Sequence, residues 1–364
     1  MISSHLGTIS SNSLSQPPKR KSIPWVALLV LGVVGFILYR AAAGAEGFDW
    51  VRFSTTIGSL DPKFAALAIL FIILTYFGRA IRWQVMMRPL GPTPSVWRLS
   101  IGTAIGFTAI VLLGRPGEFV RPWWIARESK TAFSSQLAVW LFERIYDLLV
   151  VILFFGFGLI HLASSGIVSK AGPELRLVVS SGGTLALAGA GVCLVCIFAL
   201  RFLNDAQRQS LVGLVHKLPE PLAQKLAPLA GNFLIGAAAC CDPRLQWLVI
   251  FYTFVEWLII GGCYWAIFQA FPASAVLSFA DIATVVGLVS FGAIIQLPGI
   301  GGGMQVAAIA VLTQLFSLPL ELATSLAILL WAISFLLVVP LGILLALQEG
   351  LSFKKLSNLE QETA

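Results

Sequence analysis

The apolar run at residues 134–161 carries Glu143, Arg144 and Asp147. Each would cost roughly 2.5–3.5 kcal/mol at the centre of a membrane helix, or ~8–10 kcal/mol for three left unpaired. The apolar residues around them offset that on insertion, so the question is where the charges point. Glu143 and Asp147 are four apart and share a helix face, with Arg144 about 100° round from Glu143. Arg144 is expected to neutralise one carboxylate, leaving the other to find a cation elsewhere. Arg115 or Arg121 is the candidate nearest in sequence. On that arithmetic, removing Arg144 strands an acid in low dielectric. Two readings stay open for Arg115, Glu118, Arg121, Glu143, Arg144 and Asp147. They pin one segment to the next, or they line a wet cavity and bind a charged group. Glu256, inside the apolar run 246–271, is a further buried acid that could take up a proton or hydrogen-bond across helices.

Helices in a membrane must hold these charges. Of 364 residues, 58% are hydrophobic and 11% charged, and mean hydropathy is +0.89. A soluble domain carries about 25% charged residues, and a disordered chain is poor in apolar ones, so both classes are excluded. Uncharged runs of about 20 residues, each able to cross the hydrocarbon, recur along the chain. The expectation is an all-α polytopic membrane protein with about six full crossings, at 24–43, 64–83, 134–161, 175–203, 246–271 and 320–347. A polar tail (1–22) precedes a single transmembrane domain (23–347), and a cytoplasmic tail (348–364) follows it. The first run also fits a signal peptide, with Ala43-Gly44-Ala45 as a small-residue cleavage site, but its preceding polar region is long and we read it as a retained helix. Pro219, Pro221 and Pro228 punctuate a polar, amphipathic stretch at 204–245, read as a cytoplasmic loop with surface-lying helices.

Two apolar segments are too short and too broken to fit that scheme. One spans 99–127 and is interrupted at Gly114-Arg115-Pro116-Gly117-Glu118; the other spans 282–317 and is interrupted at Pro298-Gly299-Ile300-Gly301-Gly302-Gly303. Lipid cannot replace the backbone hydrogen bonds that such sequences lose, so this backbone must be buried in protein or line a cavity. Both are read as re-entrant helical hairpins, with Gln296 and Gln305 satisfying the second break. With both re-entrant, Arg98, Arg127, Lys130, Arg201, Arg208, Lys217, Lys225, Arg244, Lys354 and Lys355 fall on the cytoplasmic side, and 272–281 falls outside without a Lys or Arg. Arg82, Arg88 and Arg98 are taken to mark the cytoplasmic end of the second crossing. Pro116-Gly117 and Pro298-Gly299 occupy matching places with an odd number of crossings between them. That is the pattern of an inverted repeat, and such paired interruptions are the best sequence pointer to a transport site.

Other chemistries find no support. The net charge of +7 reads as the Lys/Arg excess that orients membrane proteins rather than as a nucleic-acid footprint. No GxxxxGK[ST] loop or HExxH is present, and His5, His161 and His216 lie far apart. Cys193, Cys196, Cys240, Cys241 and Cys263 suggest neither a disulfide framework nor a metal site. No cofactor or metal is expected.

Gly114-Arg115-Pro116-Gly117-Glu118 with Arg121, then Glu143-Arg144 and Asp147, then Leu297-Pro298 with the Gly301-Gly302-Gly303 turn follow one another at distances that resemble the lysylphosphatidylglycerol synthase transmembrane-region family, also described as flippase-like. The resemblance covers roughly residues 60–347. It departs after the glycine turn, where the family often has an acid and this chain has Met304 and Gln305. It implies an inner-membrane protein of bacteria that moves or handles lipids. The namesake's soluble aminoacyl-transfer domain is not expected here, since only residues 348–364 follow. On this reading Arg115, Arg121 and Arg144 bind the phosphate of an anionic headgroup, assisted by amides at hairpin N-termini. Glu118, Glu143 and Asp147 orient those arginines, and Glu256 is a candidate for proton coupling. The expected partners are membrane lipids, a lipid-biosynthetic enzyme or a second copy of the chain, and no nucleic acid. The alternatives are an intramembrane transferase acting on a lipid-linked donor, and a non-catalytic protein that presents lipid to an enzyme.

The topology is testable by single-cysteine labelling in intact cells. Cysteines at positions 130 and 217 and in the C-terminal tail should react only after the membrane is breached, and those at 170 and 275 in whole cells. A tail that labels from outside defeats both the re-entrant hairpins and the inverted repeat.

Overall fold

The computed structural model describes residues 48–164, 205–215, 218–240, 242–293, 296–299 and 301–351, with 182, 188–193 and 195. The tail 1–22, the first apolar run, most of the run 175–203 and the tail after 351 lie outside the described residues.

The chain is built of helices whose starts are written in the sequence. Asp49 opens α1 (Trp50–Gly58) by accepting from the amides of Val51 and Arg52, and Asp61, followed by Pro62, opens α2 (Pro62–Met87). Ser95 caps α3 (Val96–Leu113). After a 3-10 turn at Arg115–Phe119 come α4 (Val120–Ser129) and the long α5 (Phe133–Ser164). Then follow α6 (Asp205–Val215), α7 (Glu220–Cys240) and α8 (Pro243–Gln269), the last capped by Asp242. A reciprocal Ser278–Asp281 capping box starts α9 (Phe279–Gly292). The strands β1 (Gln296–Leu297) and β2 (Gly301–Gly302) lead into α10 (Gly303–Gln314), α11 (Leu320–Trp331) and α12 (Val338–Gln348). Small polar caps satisfy amides that a helix start leaves orphaned, and a proline at N1 has no amide to leave.

Among the described residues, five stretches are long and apolar enough to cross a membrane: Pro62–Leu90, Val96–Leu113, Phe133–Leu162, Arg244–Gln269 and Leu320–Gln348. Four match expected crossings. The fifth, Val96–Leu113, was expected as the short limb of a hairpin and is a full 18 residues. The last crossing is not one regular helix, because a π-turn at Ala332–Leu336 separates α11 from α12. Pro340 supplies no amide to the carbonyl one turn back and crowds it, so the helix widens just before it. The Tyr76 hydroxyl donates to the Ser334 carbonyl there (3.2 Å).

α4 doubles back along α3, since Gly102 faces Trp124, Gly106 faces Arg121, and Gly117 faces the Ala109 carbonyl. α9 and α10 likewise lie together, with Gly292 against Ala307. The second break is a small antiparallel ribbon, Gln296 opposite Gly302 and Leu297 opposite Gly301. The Gly302 amide donates to the Gln305 side chain (2.8 Å), so that expectation for Gln305 holds. The two breaks touch. Gly114, at φ +72°, leaves room for the Pro298 ring, and the Gly299 amide donates to the Val111 carbonyl (2.6 Å).

The helices around the breaks pair antiparallel in matching ways. In α2 and α8, Asp61 meets Ala270, Phe71 meets Gly262 and Arg82 meets Thr253. α5 runs against α9, with Gly158 on Thr284 and Gly287 on Phe155, and His161 hydrogen-bonds Asp281 at the end (2.8 Å). α12 runs against α3, with Gly342 on Thr108 and Ala104, and Glu349 binds Arg98 at the end (2.5 Å). Arg98 also grips Glu128 through two nitrogens at 2.8 Å, which holds that carboxyl below the usual carboxylate range. The stretch 204–245 is partly exposed and partly packed on α5. Leu222, Leu226 and Leu229 of α7 are exposed, whereas Gly236 sits on the Ser135 backbone and the Ser135 hydroxyl donates to the Asn232 carbonyl (2.7 Å).

Buried apolar side chains form two main clusters. One holds Ile72, Val150, Val151, Trp257 and most of α9 to α11; the other holds Ala80, Trp83, Phe142, Tyr146 and Val249 with α3 and α4. On α2, α5 and α8 alike, the change from one to the other falls at the charged residues. A side chain at Gly117 would overlap the Ala109 carbonyl. Gly117→Ala should therefore cost about 1–3 kcal/mol, as overpacking does, and lower the melting temperature in detergent. Gly58→Ala, with open space around it, should not.

Candidate intramembrane anion site

Arg82 is the hub between the two apolar clusters. It is fully buried. Its Nη1 donates to Asp147 Oδ1 (2.6 Å) and Thr253 Oγ1 (3.1 Å), and its Nη2 donates to Glu143 Oε1 (2.9 Å) and Asp147 Oδ2 (3.3 Å). Glu256 Oε2 stands 3.5 Å from Nη1. This corrects the sequence reading, which placed Arg82 at a cytoplasmic helix end. α2 runs on through Gln84-Val85-Met86-Met87, so Arg82 is interior and the missing cation for Glu143 and Asp147 comes from α2.

Arg121, one of the two expected candidates, does reach Glu143, with Nη1 at 3.2 and 3.0 Å from its two oxygens. Its guanidinium lies 4.1 Å from the Trp83 ring centroid and donates to the Arg79 carbonyl (3.1 Å). Arg115, the other, goes elsewhere. It pairs with Glu118 and donates to the Ala293 carbonyl of the second hairpin (2.8 Å), which bridges the two breaks. Arg144 spans both acids of its own helix, 3.3 Å from Glu143 and 3.4 Å from Asp147. Its side chain is 39% exposed where that of Arg82 is 0%. Asp147 also accepts from the Trp257 indole (3.3 Å).

Beside this network lies a cavity of about 300 Å³. Arg115, Glu118 and Arg121 reach it from the first hairpin, Ser290, Ala293 and Gln296 from the second, and Arg144 and Asp147 from α5, with Trp140, Trp257 and Phe107 as aromatic walls. Arg79, unmarked in the sequence reading, lines it too. Glu143 and Glu256 stand behind the wall, and Pro116, Gly117, Pro298, Gly299, Gly301, Gly302 and Gly303 shape the breaks without lining it. Four guanidinium groups thus face the cavity against two carboxylates, Glu118 and Asp147. Such a lining attracts an anion, and planar guanidinium forks suit phosphate or carboxylate oxygens. The signal for Arg79 and Arg82 was present as spacing: two cations three apart on α2 complement two acids four apart on α5. Among the described residues, no three His, Cys, Asp or Glu side chains are grouped to hold a metal ion.

An all-α, multi-pass membrane protein with a cationic cavity between two broken helical hairpins is the class that fold and site define. The chain belongs to the family described as the lysylphosphatidylglycerol synthase TM region, which matches residues 25–342. It is also similar to a protein named glycosyltransferase AglD from Haloferax volcanii, 25% identical over 203 residues. That alignment takes in 49% of this chain and 32% of the archaeal protein, so the chain spans about a third of that relative's length. No solved structure matches.

The geometry separates scaffold from mouth. Arg82→Gln strands buried carboxylates and should cost ~3–5 kcal/mol, seen as a large drop in melting temperature in detergent. Arg144→Gln leaves both acids held by Arg82, contrary to the expectation from sequence. With its partly exposed side chain it should cost no more than about 1 kcal/mol.

Proposed function

We propose that this protein moves a lipid with an anionic headgroup across the cell membrane of a bacterium, both termini lying in the cytoplasm. The headgroup sits in the cavity while the acyl chains stay in the bilayer. Arg115, Arg121 and Arg144 bind phosphate oxygens, and Glu118, Glu143 and Asp147 hold those arginines in place. The observation that carries this reading is the excess of guanidinium over carboxylate around a cavity built where two interrupted helices meet. Intramembrane charge lining a cavity marks a substrate path more often than a fastening. The hairpins act as re-entrant elements of an inverted repeat, which is supported by the matching antiparallel pairs α2–α8, α5–α9 and α3–α12. Exchanging the halves maps α2 onto α8, α5–α9 onto α12–α3, and one break onto the other. Alternating access then needs only rocking of one half against the other around a fixed site.

A second reading is favoured by the likeness to a protein named as a glycosyltransferase. On that reading the same carboxylates assist transfer from a lipid-linked donor. Reconstitution of the pure chain in liposomes separates the two. With fluorescent phosphatidylglycerol in the inner leaflet, the native chain should expose it to a membrane-impermeant quencher, and Arg144→Gln, though folded, should do so at least tenfold more slowly, as loss of one charge-assisted contact implies. A new covalent lipid product favours the transferase. Absence of both movement and product favours a protein that presents lipid to an enzyme.

A further inference from the structure

Arg79 differs from the other guanidinium groups of the cluster. It lines the cavity, yet its ion pair points away from it: Nη2 is 3.0 Å from Glu256 Oε1, behind the wall. Its Nη1 is buried and donates no hydrogen bond, with Asp147 Oδ2 at 3.9 Å. The guanidinium rests 5.1 Å from the Phe107 ring centroid, a contact that leaves its edge available. Glu256 is equally underused. It is 1% exposed, and neither carboxylate oxygen accepts a hydrogen bond. Glu256 thus holds Arg79 by charge at 3.0 Å without an aligned hydrogen bond, so an anion that offers Arg79 both charge and alignment can compete for it. Arg82 is held differently, by hydrogen bonds to three other side chains.

We infer that Arg79 is an exchangeable ligand for the headgroup anion, parked on Glu256 while the cavity is empty and turned onto the anion when it is filled. The inference rests on the anion-binding reading of the cavity and adds to it a cation and the competitor that releases it. Glu256 is then a positioning residue. By competing for Arg79 it weakens binding and speeds departure, which a carrier needs more than it needs affinity. An arginine that swaps one carboxylate for one phosphate keeps its own charge compensated at both ends of the exchange, and Glu256, when released, still faces Arg82 at 3.5 Å.

The two residues should therefore act in opposite directions. Binding of acyl-labelled phosphatidylglycerol to the full-length chain is measured by fluorescence in phosphatidylcholine nanodiscs, with labelled phosphatidylcholine as reference. Arg79→Gln should weaken phosphatidylglycerol binding about tenfold, the usual effect of one lost charge-assisted contact. Glu256→Gln, which frees Arg79 and keeps the side-chain volume, should tighten it and slow dissociation. If the native chain prefers phosphatidylglycerol but Glu256→Gln binds it equally or more weakly, the exchange is overturned and the anion site stands. Unchanged binding by Arg79→Gln overturns it as well. If the native chain shows no preference for phosphatidylglycerol, the anion site itself falls and the exchange with it.

Discussion

A guanidinium with no exposed surface, placed among three carboxylates inside a membrane protein, sets the terms for everything around it. Arg82 cannot shed its charge, and its desolvation must be offset by acids close enough to bond. Glu143 and Asp147 meet that need from α5 and Glu256 from α8, with Thr253 taking a remaining donor. Three long helices that could slide past one another on apolar faces are thereby fixed in register. The apolar core divides at the same level into one cluster toward each end, so the charged layer is the seam of the molecule.

The cavity lies beside that seam and is lined by more guanidinium groups than carboxylates. Arg82 and Arg121 already hold Glu143, and Arg82 holds Asp147. Arg144 and Arg79 are therefore less tightly bound than their charge would allow, and both face open space beside the two breaks. Arg115, 45% exposed, ties the first break to the second through a backbone carbonyl. The same arrangement that stabilises the helices leaves positive charge where irregular backbone lets polar groups from both hairpins converge. Scaffold and site are thus layers of one network, buried pairs behind and partly exposed arginines in front.

The helix breaks have a comparable double use. Gly117 permits an approach to the Ala109 carbonyl that any side chain would block, Gly114 and Gly299 take up positive φ angles of +72° and +77°, and backbone groups at the breaks find partners across them. The Gly299 amide meets the Val111 carbonyl, and Arg115 meets the Ala293 carbonyl. Each interruption therefore supplies a hydrogen-bond partner to the other.

Much of this was legible in the chain itself. Apolar runs of helical length gave four of the five span-length stretches within the described residues, Asp, Ser and Pro mark where helices start, and the Pro-Gly clusters marked both breaks, because these are local properties of backbone and solvent. Glu143, Arg144 and Asp147 announced a charged layer through the cost of burying them. Their partners depend on distance across helices, which spacing along one chain does not encode. Arg82 sat near the end of an apolar run and read as a flank, and the choice between interior and edge was made by the next turn, Gln84 to Met87, packing against α3 and α5. Arg144 was given the central role by sequence proximity, and the tertiary structure gave it to Arg82 instead. A charge buried in low dielectric goes to whichever partner the packing brings within bonding distance, and only the packed helices fix which one that is.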